Sequence, residues 1–196
     1  DSNPRPDQKD NVDALNYSGK LLMQLLNNVL DYSKMEVKEF QLDRIATDLN
    51  LAFRQLHKIH EPNCLGKGIS IHVEIDEGIP LVWIDVVRFN QVLNNLINNA
   101  IKFTAKGGVT VKLKVVSETD DALNLLVEVI DTGVGVAADK QAEIFEAFKQ
   151  EDSSIQTKYG GTGLGLSIVK EIVQLMGTEI EIESQVDEQP PVWEVW

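Results

Sequence analysis

The sequence has little cysteine, few basic residues and no long apolar run. Its single cysteine, Cys64, rules out a disulfide within the chain and is consistent with a reducing compartment. Lys and Arg number 18 against 31 Asp and Glu, which gives a formal net charge of -13. This balance argues against a nucleic-acid partner, because phosphate backbones require clustered cations. The densest apolar patch, residues 21–30, is interrupted by amides and is shorter than the ~20 residues of a membrane-spanning helix.

The beginning of the chain also lacks the features of a natural start. No signal peptide and no Met open it, and residues 1–13 are polar with two prolines. We therefore expect a fragment whose natural sequence continues upstream. The missing membrane span then carries no information about the full-length protein.

Hydrophobic patterning predicts an α+β fold. Strand patterns occur over 40–45, 69–75, 109–117, 122–131, 178–184 and 192–196, and a short apolar run predicts another strand over 81–84. Three-to-four spacing predicts helices over 15–36, 49–59, 85–103 and 164–176, with a short one near 139–147. We expect Thr47 or Asp48 to cap the helix over 49–59, Asp85 to cap the helix that follows it, and Gly177 to end the helix over 164–176. The sum is a two-layer α/β sandwich, with three helices on one face of a mixed sheet.

The predicted N-terminal helix is set apart from this pattern. Its wide apolar stripe includes Leu15, Leu22 and Val29, so the helix needs a partner. It could pack on its own domain or join an intermolecular helix bundle, and we favour the bundle because the α/β pattern is complete without it. We expect an N-terminal segment over 1–37 and a second domain over 38–196.

The run NNLINNAIKFT (94–104) places amides and a cation on one helical face. Asn95, Asn99 and Lys102 repeat at intervals of four and three, so their side chains share that face. An Asn carbonyl oxygen suits Mg²⁺, and a Lys can reach phosphate as a point charge. The alternative is a solvated helix face with no ligand.

The run DTGVGV (131–136) follows an apolar strand. Asp131 could accept a hydrogen bond from an exocyclic amine such as that of adenine, while Gly133 and Gly135 permit close approach. The alternative is an ordinary turn capped by Asp.

The run GGTGLGLS (160–167) opens a predicted helix. Glycines that enter a helix N-terminus offer free N–H groups and a positive dipole to an anion. The run lacks the ending of a P-loop and the spacing of a dinucleotide-binding motif. The alternative is a flexible hinge.

Together the runs, with IFEAFKQ (144–150) between the last two, resemble the N, G1, F and G2 boxes of the histidine kinase catalytic domain, a member of the GHKL superfamily. Residues 18–37 resemble the second helix of the kinase dimerisation domain, and KYGGTGLGL (158–166) resembles the hybrid sensor kinases. The resemblance implies a Bergerat-type ATP-binding fold that uses ATP and Mg²⁺.

The resemblance also implies roles for matched positions. Asn99 would bind Mg²⁺, Asn95 would line the same phosphate region, and Lys102 would contact phosphate; Asn95 and Lys102 are the candidate catalytic residues. Asp131 would recognise adenine. The other positions placed around the nucleotide are Phe103, Gly133, Gly135, Phe145, Phe148, Lys158, Gly161, Thr162, Gly163, Leu164 and Gly165. Among these, the phenylalanines at 145 and 148 would anchor a lid over about 137–159, and the lysine at 158 would contact the γ-phosphate.

The family's phosphoacceptor motif is absent from this sequence. His57 and His60 are three apart on a predicted helix, and we interpret them as a solvated face rather than a metal pair; His72 is predicted to be structural or exposed. The resemblance then implies transfer to a His on a dimerisation helix outside this chain, a downstream response-regulator receiver domain, a homodimer in the full-length protein and a cytoplasmic location.

Two other functions remain open at this point. ATP-hydrolysing conformational switches of the same superfamily use a Glu base where this chain has Asn95, whose amide cannot accept a proton from water. A nucleotide-binding pseudokinase module would keep the fold without transfer.

Overall fold

The computed structural model describes residues 6–36, 41–119, 122–146, 163–185 and 189–195, and the structural statements below concern those residues. The chain divides into two compact units, Asp1–Phe40 and Gln41–Trp196. None of the helices in the described ranges combines the length and the apolar character that crossing a bilayer requires.

The described residues of the first unit form one long helix, α1 (Pro6–Glu36). It begins earlier than the predicted start at residue 15, because periodicity detects only the apolar stripe and not the polar turns before it. Proline is well tolerated in the first turn, where its missing N–H has no intrahelical partner. Leu15, Leu22 and Leu26 are among its exposed apolar side chains.

The second unit is built on a five-stranded mixed sheet. Its strands are β2 (Ser70–Ile75), β4 (Gly108–Glu118), β5 (Leu123–Asp131), β6 (Ile180–Gln185) and β7 (Gln189–Val195). Their order is β2-β4-β5-β7-β6, with β2 and β4 parallel and the other pairs antiparallel. The two strands predicted over 109–117 and 122–131 form an antiparallel hairpin, β4 and β5.

A separate two-stranded antiparallel sheet contains β1 (Ile45–Thr47) and β3 (Val82–Ile84). The strand predicted over 40–45 was therefore placed too early. Alternation extends through residues 41–44, but only the three that face β3 form a ladder.

Three helices cover one face of the larger sheet, as predicted. They are α2 (Leu49–Lys67), α3 (Val86–Phe103) and α4 (Gly165–Met176). Asp48 and Asp85 accept hydrogen bonds from the N–H groups of Leu51 and Arg88, at 3.1 and 3.0 Å, and so cap α2 and α3. The cap at Asp85 is confirmed, and of the two candidates before α2, Thr47 and Asp48, the structure selects Asp48. Gly177 ends α4 in the left-handed conformation.

Helix α2 is longer than the sequence predicted. It continues past residue 59 and through Pro62 to Lys67, and ends at Gly68 with φ 74°. Proline inside a helix removes one hydrogen bond, and the buried side chains of His60 and Cys64 on either side hold the helix against the domain. The short helix predicted near 139–147 is only a 3₁₀ turn, Glu143–Phe145, within the described residues.

The two faces of the large sheet differ in chemistry. The helix face is the side covered by α2, α3 and α4; its buried side chains include those of Val111, Val129 and Ile168. The charged face is the opposite side. Glu74, Lys112, Glu128 and Glu194 are successive partners in the strand register there, and Lys114 forms an ion pair with Glu128.

Candidate nucleotide-binding site

Helix α3 presents the predicted polar face. Asn95 and Asn99 are half-buried, whereas Leu93, Leu96 and Ile97 have at most 1% of their surface exposed. The apolar side therefore packs in the core, and the amides lie toward the site that the sequence predicted. Their roles in binding stay predictions.

The C-terminal end of α3 is held by a residue that the sequence analysis missed. The Lys67 ammonium donates hydrogen bonds to the carbonyl oxygens of Ile101, at 2.5 Å, and Lys102, at 2.7 Å. The last carbonyls of a helix lack intrahelical partners and carry partial negative charge, so a cation stabilises them. No local pattern marks Lys67, because its acceptors are more than thirty residues away.

Lys102 lies in the last turn of α3, where burial lowers the pKa of its ammonium. Its Nζ is 4.8 Å from the centroid of the Phe103 ring, which is a cation–π distance. A partly buried cation is stabilised by an anionic ligand. This position therefore suits phosphate chemically.

Asp131 is a buried carboxylate at the end of β5, with 3% of its surface exposed. Its Oδ1 accepts hydrogen bonds from the Gly133 N–H at 2.7 Å and from the Thr104 hydroxyl at 3.3 Å. Burial raises the pKa of Asp131, while hydrogen bonds from Gly133, Thr104 and the Trp193 side chain oppose that rise. The carboxylate is thus oriented by the protein.

Gly133 brings the second run against the end of α3. A Cβ at this position would lie 2.6 Å from Asp131 Oδ1 and 2.8 Å from the carbonyl oxygen of Phe103. Both contacts are too short for any side chain, so only glycine fits. Nearby, the Thr132 hydroxyl donates to the Lys106 carbonyl at 2.8 Å, which joins the loop after β5 to the loop after α3.

Gly165 brings the third run against the same helix. A Cβ on Gly165 would lie 3.4 Å from Asn95 Oδ1, so the first turn of α4 faces the amides of α3. Gly163 has φ 69° and Gly135 has φ 73°, which are conformations that favour glycine. Leu164 between the glycines is buried and anchors the turn. The three runs therefore meet along α3.

The segment after β5 is held to the strands at the far edge of the sheet. The Val136 N–H donates to the Ser184 hydroxyl, and the Gln141 side-chain amide donates to the Ser184 carbonyl, each at 2.7 Å. Phe145 packs against Trp193, with ring centroids 6.1 Å apart and planes at 81°. The other predicted site residues of this region lie outside the described residues: Phe148, Lys158, Gly161 and Thr162.

The prediction of a solvated histidine face is wrong for His60. This side chain has 2% of its surface exposed, and its Nε2 is 2.7 Å from Asn94 Oδ1. Asn94 donates through Nδ2 to the Asn90 carbonyl, so its oxygen is the acceptor and His60 Nε2 carries the proton. Burial lowers the pKa of His60.

The missed signal is the four-residue spacing of His60 from Leu56 and Cys64, which are also buried. His57 is partly exposed, and His72 is exposed as predicted. Within the part of the chain that the structure describes, His, Cys, Asp and Glu side chains form no group of three or more that could hold a metal ion.

Comparison with known proteins places this arrangement in a family. Residues 84–192, which span α3, the three runs and most of β7, match the family described as histidine kinase-, DNA gyrase B-, and HSP90-like ATPase. That match covers more than half of the chain.

Curated relatives and a solved structure agree with the family match. The chain is 38% identical over 188 residues to the autoinducer 2 sensor kinase/phosphatase LuxQ of Vibrio parahaemolyticus, covering 94% of this chain and 22% of the relative. It is 37% identical over 197 residues to the circadian input-output histidine kinase CikA of Synechococcus elongatus, covering 96% of this chain and 25% of the relative. The structure of full-length ShkA in complex with AMPPNP is similar with a TM-score of 0.81 and 31% identity, over 99% of this chain and 39% of that one.

These relatives are much longer than the chain, which spans about a quarter or less of each curated relative. The aligned relatives are named as a sensor kinase/phosphatase and a histidine kinase, and the family matched is an ATPase family. The chain belongs to the histidine kinase-, DNA gyrase B-, and HSP90-like ATPase family, and it is the ATP-binding catalytic domain of the sensor histidine kinase type.

Proposed function

We propose that this domain binds Mg-ATP and transfers its γ-phosphoryl group to a histidine on a dimerisation helix outside the chain. The observation that carries the proposal is the meeting of the three runs along α3. Gly165 faces Asn95 at one point, and Gly133 adjoins Phe103 and Asp131 at another. Amide, cationic, carboxylate and glycine groups from distant parts of the chain thus border one helix.

Adenine recognition rests on Asp131. A buried carboxylate with oriented acceptor oxygens can accept a hydrogen bond from the exocyclic amine of adenine. Such a bond has a charged acceptor and contributes about 1.5–3 kcal/mol to binding. Gly133 admits no side chain, and its close approach lets its N–H donate to Asp131 Oδ1 and orient that carboxylate.

Phosphate binding rests on Lys102 and the start of α4. The first turn of a helix offers unpaired N–H groups and a partial positive charge, and Gly163 and Gly165 let the backbone approach an anion closely. Asn99 would bind Mg²⁺ through its carbonyl oxygen, with Asn95 beside it; half-buried amides are oxygen donors that fit that group. Bound Mg²⁺ would neutralise charge on the phosphates.

In the proposed transfer, an imidazole nitrogen of the acceptor histidine attacks the γ-phosphorus. The bond from phosphorus to the β–γ bridging oxygen breaks, and ADP leaves. This chain contributes positioning and charge, which supply most of the catalysis in phosphoryl transfer. Asn95 stands where a hydrolysing switch would need a base, and its amide cannot take a proton from water.

The same proposal includes partners for the full-length protein. The exposed apolar side chains of α1 support a homodimer formed through a helix bundle. A response-regulator receiver domain would accept the phosphoryl group from the histidine. We expect this phosphorelay in the cytoplasm, where ATP is available.

The proposal is tested by adding the chain to a separate acceptor-histidine helix domain with ATP labelled at the γ-phosphate. Mg²⁺-dependent label on the acceptor is the expected result, and Asn99→Ala should reduce it. ATP binding without any transfer would favour a pseudokinase module. Rapid ATP hydrolysis by the isolated chain would favour a conformational switch.

A further inference from the structure

Trp193 lies beside the carboxylate that we assign to adenine. It is in β7, where it pairs with Val129 of β5, and Asp131 follows two residues later on the same side of the strand. The tryptophan has 5% of its surface exposed, so its ring is enclosed by the helix face. The sequence pattern predicts a strand at this residue and no role in the site.

The indole of Trp193 has one polar group, an N–H that can only donate. The Trp193 side chain is a hydrogen-bonding neighbour of Asp131, whose Oδ1 accepts from the Gly133 N–H and the Thr104 hydroxyl. These two donors and the Trp193 side chain come from three different parts of the chain: the loop after β5, the end of α3 and strand β7. Together they restrict rotation of the carboxylate.

The same indole ring also contacts the segment that follows the second run. Phe145 meets it edge to face, with centroids 6.1 Å apart. Of the two predicted lid anchors, Phe145 is the one that lies within the described residues. One aromatic side chain therefore contacts both the Asp131 carboxylate and the beginning of the predicted lid.

We propose that Trp193 is a positioning residue for adenine selectivity, which holds the Asp131 carboxylate in the orientation that accepts the exocyclic amine. This inference rests on the proposed role of Asp131. Trp193 acts through that carboxylate and does not touch the nucleotide. Its effect should therefore appear only with bases that carry the amine.

The test compares ATP with inosine triphosphate, which has a carbonyl oxygen where ATP has the amine. Trp193→Phe keeps an aromatic ring beside Phe145 and removes the N–H donor. We expect it to weaken ATP binding by about three- to tenfold, the effect of losing one hydrogen bond. Binding of inosine triphosphate should be unchanged. Trp83→Phe, at an exposed tryptophan on β3, is the matched control and should change neither affinity.

Equal weakening of both nucleotides would show that Trp193 only supports the fold and would overturn the inference. No change with either nucleotide would overturn it as well. The proposed function is judged separately: it fails if the unmodified chain binds no ATP, or if Asp131→Ala binds ATP as well as the unmodified chain.

A second measurement does not depend on Trp193→Phe being stable. The three tryptophans give separate indole N–H signals in a ¹H–¹⁵N NMR spectrum, and Trp83→Phe and Trp196→Phe identify the signal of Trp193 by elimination. Asp131→Asn should shift that signal to lower proton frequency because the charged acceptor is lost. A Trp193 signal that does not respond would contradict the hydrogen bond and the inference with it.

Discussion

Two carboxylates on strand β5 point to opposite faces of the same sheet and have partners of different charge. Asp131 lies on the helix face and Glu128, three residues earlier, lies on the charged face; 3% and 8% of their surfaces are exposed. Glu128 forms an ion pair of 2.5 Å with Lys114. Asp131 is held by a backbone N–H, a hydroxyl and an indole, all of which are neutral.

The difference shows how a ligand-binding carboxylate is distinguished from a structural one. The charge of Glu128 is matched by a cation of the same domain, and the hydrogen bond between them raises the pKa of Lys114. At Asp131 the neutral hydrogen-bond donors offset only part of the effect of burial, so the pKa of its carboxyl group is raised. A donor supplied by a ligand stabilises the Asp131 carboxylate further, whereas Glu128 already has its partner.

The largest expected effect is on ATP affinity. Asp131→Ala removes an acceptor with a net contribution of about 1.5–3 kcal/mol, so ATP binding should weaken by roughly ten- to a hundredfold. Glu128→Gln, on the same strand and the opposite face, should leave ATP affinity unchanged. Isothermal titration calorimetry measures both. Equal losses in the two variants would remove the distinction between the faces.

The next effect concerns the metal. Asn99→Ala should weaken ATP binding by about tenfold at saturating Mg²⁺, which corresponds to 1.4 kcal/mol. In the presence of a chelator the variant and the unmodified chain should bind alike, because adenine contacts are preserved. Titrations at several Mg²⁺ concentrations provide the measurement. An affinity difference that is independent of Mg²⁺ would exclude Asn99 as the metal ligand.

A smaller effect is expected on the stability of the nucleotide-free domain, with opposite signs for the two faces. A raised folded-state pKa means that the contribution of Asp131 to stability is lost as pH rises through that value. At neutral pH, Asp131→Asn should therefore raise the melting temperature by roughly 2–4 °C. Glu128→Gln should lower it slightly, because a partly exposed ion pair contributes about 0–1 kcal/mol. Thermal unfolding at pH 7 tests this; a lower melting temperature for Asp131→Asn would be the opposite result.

The smallest effect concerns the buried histidine. The folded-state pKa of His60 is lowered, so its contribution to stability is present above its ordinary pKa and is lost as pH falls from there through the folded value. The free energy of unfolding should decrease between pH 7 and pH 5, and less so in His60→Gln. Urea denaturation at both pH values measures this. His57→Gln, at a partly exposed position on the same helix, is the control and should keep the full pH dependence.

Features fixed by neighbouring residues could be predicted from the sequence. Asp48 and Asp85 were identified as caps because a cap bonds to an N–H three residues later, and the stripe of α3 follows from its own periodicity. The same local rules were misleading at Pro62, where packing on both sides outweighs one lost helical bond. Burial of His60 depends on Asn94 in another helix, which local spacing does not reveal.

The candidate site also contains some residues that the sequence predicts and others that it does not. The residues of the three runs could be predicted because the runs themselves are distinctive. The residues that support them, Lys67 and Trp193, could not be predicted. Lys67 binds carbonyls of a distant helix, and Trp193 lies beside Asp131 only because β7 pairs with β5. The register of those strands depends on the whole sheet.

The account is tested most directly by ¹H–¹⁵N NMR during a titration with Mg-ATP. The side-chain amides of Asn95 and Asn99 and the backbone amides of Gly133 and Gly165 should shift together and give one dissociation constant. Backbone amides of Glu74 and Lys112 on the charged face should stay in place. If the four site signals follow different dissociation constants, or do not shift when ATP binds, the three runs do not form one nucleotide site.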